Sequence, residues 1–286
     1  MTLLQRRYEG ADKNMAESQS ARQTNDSAET RRRGFSKIPL LARSMKPRRT
    51  GLTMMIDWGL GLGAQADYLE VAGEFVDLAK IAVGISGLLP LPLLKQKISL
   101  YKQHAVEPFP GGGFLEYAVS IGQVDQYLRH CMEAGYCVVE VSENFEPLPH
   151  EEKTALIKRA REDFGMRVLG ETGSKSDKTT AAEMVSDIDR CLGAGADLVL
   201  VEALELYDKG VQRDILAPLL EEAPADRILI EIPGAWTPGI NAYDRYELIL
   251  QLISAVGPDV GLANIEASEV LFVESLRRKY GVAGYK

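Results

Sequence analysis

Residues 188–202 read IDRCLGAGADLVLVE: the end of an amphipathic segment, a glycine turn, an aspartate, then an apolar run closed by a glutamate. Residues 128–142 read LRHCMEAGYCVVEVS, with Cys, Ala and Gly at matching places and a similar apolar run behind them. A short aliphatic run that follows a helix-length amphipathic stretch predicts a strand buried on both faces, the unit of a parallel βα sheet. An echo at the length of two such units predicts an architecture built by repetition.

Outward from that pair, the same beat covers the chain from residue 51 onward. Strands are expected at 51–57, 75–81, 105–109, 136–142, 166–171, 197–203, 227–232 and 260–264, with helical stretches such as 90–103, 149–164, 178–193 and 267–279 between them. Eight βα units over residues 46–286 predict an α/β fold, a (β/α)8 TIM barrel in one domain. A doubly wound open sheet is the alternative. It is disfavoured because GLGLG at 59–63 lacks the third glycine of a dinucleotide-binding turn. Residues 1–45 are polar, mixed in charge and nearly free of large apolar side chains, which predicts a disordered tail. Glu9, Asp12, Glu17, Asp26 and Glu29 argue against a mitochondrial presequence there.

The 286 residues carry 45% hydrophobic and 26% charged side chains and a formal net charge of -8. That acidic balance excludes nucleic acid as the expected partner, since phosphate neutralisation needs a basic face. No apolar run has the length to span a bilayer, so no membrane association is expected. Cys131, Cys137 and Cys191 have neither zinc-type spacing nor the number for a disulfide framework, which suits a cytoplasmic protein.

Buried parallel strands should be almost purely apolar, so polar residues inside them need a reason. Asp57, Lys80, Glu140, Glu171, Glu202, Glu231 and Asn264 all stand at or near the carboxyl ends of expected strands, spaced about thirty residues apart from Glu140 onward. In a barrel those ends converge on the active face. Five carboxylates brought together would repel and raise one another's pKa unless a cation sits among them. Lys80 is one candidate; a hard metal such as Mg²⁺ is the other. Lys175, in a Gly/Ser loop, and Arg48, before the first strand, are further cations near the expected site. Gly111-Gly112-Gly113 could bring backbone N–H groups close to an anion. His104, His130 and His150 stand away from strand ends, so zinc is not expected.

The blocks KPRRTGLTMMIDWGLG, FVDLAKIAVGIS, FPGGGFLEYA, VVEVSE, LGETGSK, GADLVLVEA and GPDVGLANI resemble, in order over residues 46–281, successive blocks of the phosphosulfolactate synthase family. The resemblance implies a barrel lyase that adds sulfite to phosphoenolpyruvate with Mg²⁺, a step of sulfonate and coenzyme M biosynthesis, in a homo-oligomer. It also implies roles. Lys80, with its pKa lowered in the mouth, would donate a proton to C2, with Lys175 and Asp57 as further catalytic candidates. Glu140, Glu171 and Glu202 would hold the metal. Arg48, Gly111, Gly112, Gly113 and Asn264 would bind substrate oxygens. The family also contains plant heat-tolerance proteins, so a non-catalytic stress role is an alternative. Three positions depart from the resemblance: Trp58, Leu204 and Trp236 stand where family members carry Lys, Arg or Lys. A divergent member with a less anionic acceptor is therefore a further alternative.

Overall fold

A computed structural model describes residues 34–143, 148–173, 180–203, 213–234 and 236–280, with backbone alone for 213–215. The chain divides into two units, Met1–Leu41 and Ala42–Lys286. In the first, the described residues 34–41 hold a turn in which the Ile38 N–H donates to Phe35 O; residues 1–33 of the expected tail lie outside the described residues. The second unit begins at Ala42 because Arg43 belongs to it, donating to the carbonyls of Pro258 and Gly51.

The second unit is a (β/α)8 barrel. Its first half runs β1 (Thr53–Asp57), α1 (Leu62–Ala72), β2 (Leu78–Ile81), α2 (Ile85–Leu88), α3 (Leu91–Gln103), β3 (Glu107–Pro110), α4 (Gly113–Ser120), α5 (Val124–Ala134) and β4 (Val138–Val141). The second half runs α6 (His150–Glu162), β5 (Arg167–Thr172), α7 (Ala181–Gly193), β6 (Leu198–Glu202), α8 (Arg213–Glu222), β7 (Ile228–Glu231), α9 (Ala242–Val256), β8 (Leu262–Glu266) and α10 (Val270–Arg277). Each expected strand is present. β1, β6 and β7 are two residues shorter than expected and β4 three; β3, β5 and β8 are displaced toward their carboxyl ends; and β2 loses three because Gly73–Phe75 close a 3₁₀ turn. α7 starts where the sequence supplies a capping box, Thr180 with Glu183.

All ladders are parallel, in the order β3-β2-β1-β8-β7-β6-β5-β4. The barrel closes where β3 meets β4, and Gly112, just past β3, permits the approach. A Cβ there would collide with the Ser142 side chain and come within 3.1 Å of Glu140 Cγ.

Side chains sort by parity, because successive strand residues face opposite sides of the sheet. Met54, Leu78, Phe109, Val138, Leu169, Leu198, Leu200, Leu229 and Ala263 pack together inside the barrel. Met55, Ala79, Val139, Val168, Val199 and Ile230 pack outward, against the helices. This parity overturns one grouping expected from sequence. Lys80, Glu140, Glu171, Glu202 and Glu231 each lie two residues beyond an interior apolar residue and so face inward. Asp57 lies two beyond Met55 and faces outward.

Asp57 there organises the β1–α1 loop. Its Oδ1 accepts the Gly59 and Leu60 N–H groups, both at 2.8 Å, and its Oδ2 takes the Tyr101 hydroxyl at 2.6 Å and pairs with Lys97 Nζ at 2.5 Å. Lys97 also donates to Leu60 O and Gln65 Oε1. Both charges are buried, so removing one strands the other. Lys97→Met should cost about 3–5 kcal/mol in urea unfolding, with part regained in Asp57→Asn/Lys97→Met. A single variant as stable as the wild type would contradict the clamp.

Candidate active site

Four glutamates and one lysine from five different strands meet inside the carboxyl end of the barrel. Lys80 Nζ donates to Glu231 Oε1 at 2.7 Å and to Glu140 Oε1 at 3.1 Å. Glu171, Glu202 and Glu231 present carboxylate oxygens that all lie within 4.8 Å of one another, and all three are buried. Glu231 is therefore shared, facing the ammonium on one side and Glu171 and Glu202 on the other. Three of the carboxylates, Glu140, Glu231 and Glu171, act on one ammonium.

Glu231 stands in the trio where the sequence reading placed Glu140. The reason is geometric: Glu140 leans across the β3–β4 seam toward Lys80 and the Gly112 amide. Its Oε2 is buried without a hydrogen-bond partner. Burial pushes the Glu140 carboxyl above its usual pKa; Lys80 opposes that shift and Glu231 adds to it. Burial alone would depress Lys80, but the charges of Glu140, Glu231 and Glu171 outweigh it, and the ammonium is held well above its ordinary value. The lowered lysine pKa expected from sequence is thus reversed.

Other expected residues divide by place. Arg48 lies before β1, at the opposite end of the barrel from the cluster, where it donates to Asp77 Oδ1, Glu74 O and Ser44 O. Gly111 and Gly112 sit beside the cluster. The Gly111 amide is spent on Ile81 O, and the Gly112 amide serves Glu140. Gly113 opens α4. Lys175 and Leu204 lie outside the described residues.

Asn264 occupies a bulge where β8 shifts register against β1. Its φ of 57° is left-handed, an uncommon conformation for a residue with a Cβ, and its buried Oδ1 has no partner.

Sequence reading missed the group that fixes this bulge. Arg245, buried on α9, donates Nη1 to Pro233 O at 2.5 Å and Nη2 to Asn264 O at 2.9 Å. Its Nε and Nη2 also bind Glu269, at 3.0 and 2.5 Å. Glu269 in turn accepts the Glu266 N–H. An arginine inside an amphipathic helix carries no sequence signal for such a role. Ser142 was missed too; it lies two residues beyond Glu140 and donates to Glu116 Oε1.

Residues 42–281 match the family model described as (2R)-phospho-3-sulfolactate synthase. The chain belongs to the (2R)-phospho-3-sulfolactate synthase family. Membership makes it a lyase-type enzyme that forms a carbon–sulfur bond. It is 34% identical to the phosphosulfolactate synthase of Methanocaldococcus jannaschii, over 80% of this chain and 91% of that one. It is 26% identical to Protein HEAT-STRESS-ASSOCIATED 32 of Arabidopsis thaliana, over 83% and 89%. A dihydrodipicolinate synthase from Agrobacterium tumefaciens, 11% identical, shares the fold with a TM-score of 0.53 over 81% of this chain and 75% of that one.

Lys80→Met would remove from Glu140 the charge that opposes its upward shift. A carboxyl that holds its proton more tightly folded than unfolded makes stability fall as pH rises through its folded pKa. The melting temperature of Lys80→Met should therefore drop more between pH 5 and pH 8 than that of the wild type. Parallel profiles for the two proteins would refute this electrostatic reading.

Proposed function

We propose that the chain catalyses Mg²⁺-assisted addition of sulfite to C3 of an enolpyruvate acid, with phosphoenolpyruvate as the acceptor to test first. The observation that carries this reading is the buried oxygen trio of Glu171, Glu202 and Glu231 beside Lys80. A trio of hard oxygen donors fits Mg²⁺, which binds through few carboxylates and completes its shell with water and substrate oxygens. Mg²⁺, when bound there, supplies Lewis-acid stabilisation of negative charge on the acceptor's carboxylate.

The chain's own residues do the rest. The sulfur lone pair forms the C3–S bond, the C2=C3 π pair moves toward C2 and the carboxylate, and C2 then takes a proton. Lys80 Nζ, protonated and held between Glu140 and Glu231, is the proton donor. Glu140 and Glu231 orient it, and Asn264, with its unpartnered buried oxygen, contacts a donor on the substrate or on its bound water. The apolar layer below, from Met54 to Ala263, keeps water out of the barrel interior.

A second reading keeps this chemistry with a less anionic acceptor. The contact of Trp58 with Trp236 at the rim favours it.

Turnover with sulfite, phosphoenolpyruvate and Mg²⁺ is the direct test. Lys80→Met should lose on the order of 10²–10⁴-fold in kcat. Glu202→Gln should weaken binding of Mn²⁺, used as a spectroscopic substitute, by at least about tenfold in electron paramagnetic resonance titrations. Full activity in excess chelator, or in Lys80→Met, would exclude the mechanism.

A further inference from the structure

Arg245 is buried on α9, a helix whose start is fixed by the capping box of Asn241 and Asp244. Its guanidinium reaches three partners. Nη1 donates to Pro233 O, Nη2 donates to Asn264 O, and Nε and Nη2 close a fork on the Glu269 carboxylate. Pro233 lies two residues beyond Glu231, a member of the carboxylate trio, and Asn264 directly follows Ala263, which pairs with Glu231 in the β7–β8 ladder. One buried cation therefore ties β7 to β8 just beyond the level of Glu231.

The register of β8 shows what is held there. From Thr53 to Met55 strand β1 advances by two residues, while β8 advances by three against it, from Leu262 to Ile265. Ala263 packs inside the barrel and Ile265 outside it, against the helices, so Asn264 is the inserted residue. Bulges of this kind re-aim a side chain. Asn264 bears two costs in this place: its φ of 57° crowds its Cβ, and its Oδ1 is buried without a hydrogen-bond partner. Glycine would take the same backbone conformation with neither. The bulge as such has no use for the amide; a ligand that meets Oδ1 does.

We propose that Arg245 is a positioning residue for the addition reaction and acts through Asn264, fixing that amide for contact with the acceptor or its bound water. This role rests on the enolpyruvate reading above. The guanidinium is engaged by Glu269 and two carbonyls, so it works through the groups it holds. Charge alone does not suffice. Lysine offers the same charge without the planar fork that grips three partners at once.

Two substitutions separate the parts. Asn264→Gly keeps the left-handed backbone and removes the amide; Arg245→Lys keeps the charge and removes the fork. These variants, the double variant and the wild type are compared in sulfite addition to phosphoenolpyruvate with Mg²⁺, and in calorimetric Kd for phosphoenolpyruvate, with circular dichroism as the check on folding. Asn264→Gly should lose about tenfold in kcat/KM, the equivalent of one hydrogen bond. Arg245→Lys should lose a similar factor, and its 262–266 amides should exchange at least about tenfold faster. The double variant should lose no more than the worse single variant, because both remove the same contact. Should Arg245→Lys lose its native circular dichroism, Glu269→Gln, which frees the guanidinium from its anchor, takes its place in the cycle. Losses that multiply in the double variant overturn the role, as does wild-type efficiency in either single variant. A wild type that binds phosphoenolpyruvate without sulfite-dependent turnover, yet shows the same coupled losses in Kd, retains Arg245 and loses the sulfite chemistry. An active wild type with independent losses does the reverse. Neither binding nor turnover removes both.

Discussion

The contact on which the site depends is the ammonium of Lys80 between Glu231 and Glu140. β2 and β7 are separated in the sheet by β1 and β8, so this contact crosses the barrel interior and does not follow a ladder. Burying an ion pair costs desolvation that mutual attraction repays only with good geometry and further hydrogen bonds. Here the repayment is incomplete. One Glu140 oxygen is buried without a hydrogen-bond partner, and carboxylate oxygens of Glu171, Glu202 and Glu231 lie within 4.8 Å of one another. This layer of charge sits directly above an otherwise apolar barrel core.

The barrel was legible because its strands are short aliphatic runs buried on both faces, recurring at a near-constant interval. The charged ring was legible for the same reason: a glutamate or lysine ending such a run has no solvent face to occupy. Parity was not legible. In TMMID every residue of β1 is buried, so nothing in the apolar pattern says which side Asp57 takes. A better clue was local. Asp-Trp-Gly is a turn sequence in which an aspartate commonly accepts N–H groups two and three residues on, and Asp57 does so. Arg48 was placed by closeness in sequence to β1. The chain before a strand enters at the amino end of the barrel, where Arg48 meets Asp77, far from any carboxyl-end chemistry. Arg245 and Glu269 were invisible because they pair with each other, with two backbone carbonyls and with an amide that only the folded loops bring together.

These placements give the mouth two characters. Lys80, Glu140, Glu171, Glu202 and Glu231 put charge inside β2, β4, β5, β6 and β7, while Trp236 beyond β7 and Trp58 after β1 make the rim there aromatic, beside an arginine engaged by Glu269 and two carbonyls. Asn264 lies at the boundary, on β8, where Arg245 holds its carbonyl and leaves its side-chain oxygen without a partner. A left-handed asparagine persists only when surrounding contacts over-determine it, and the guanidinium supplies them by gripping the chain on both sides of the bulge, at Pro233 and Glu269. The repeated glutamates thus build a charged interior at the carboxyl end of the barrel, and the aromatic rim stands where that repeat gives way to Trp58, Trp236 and Glu266.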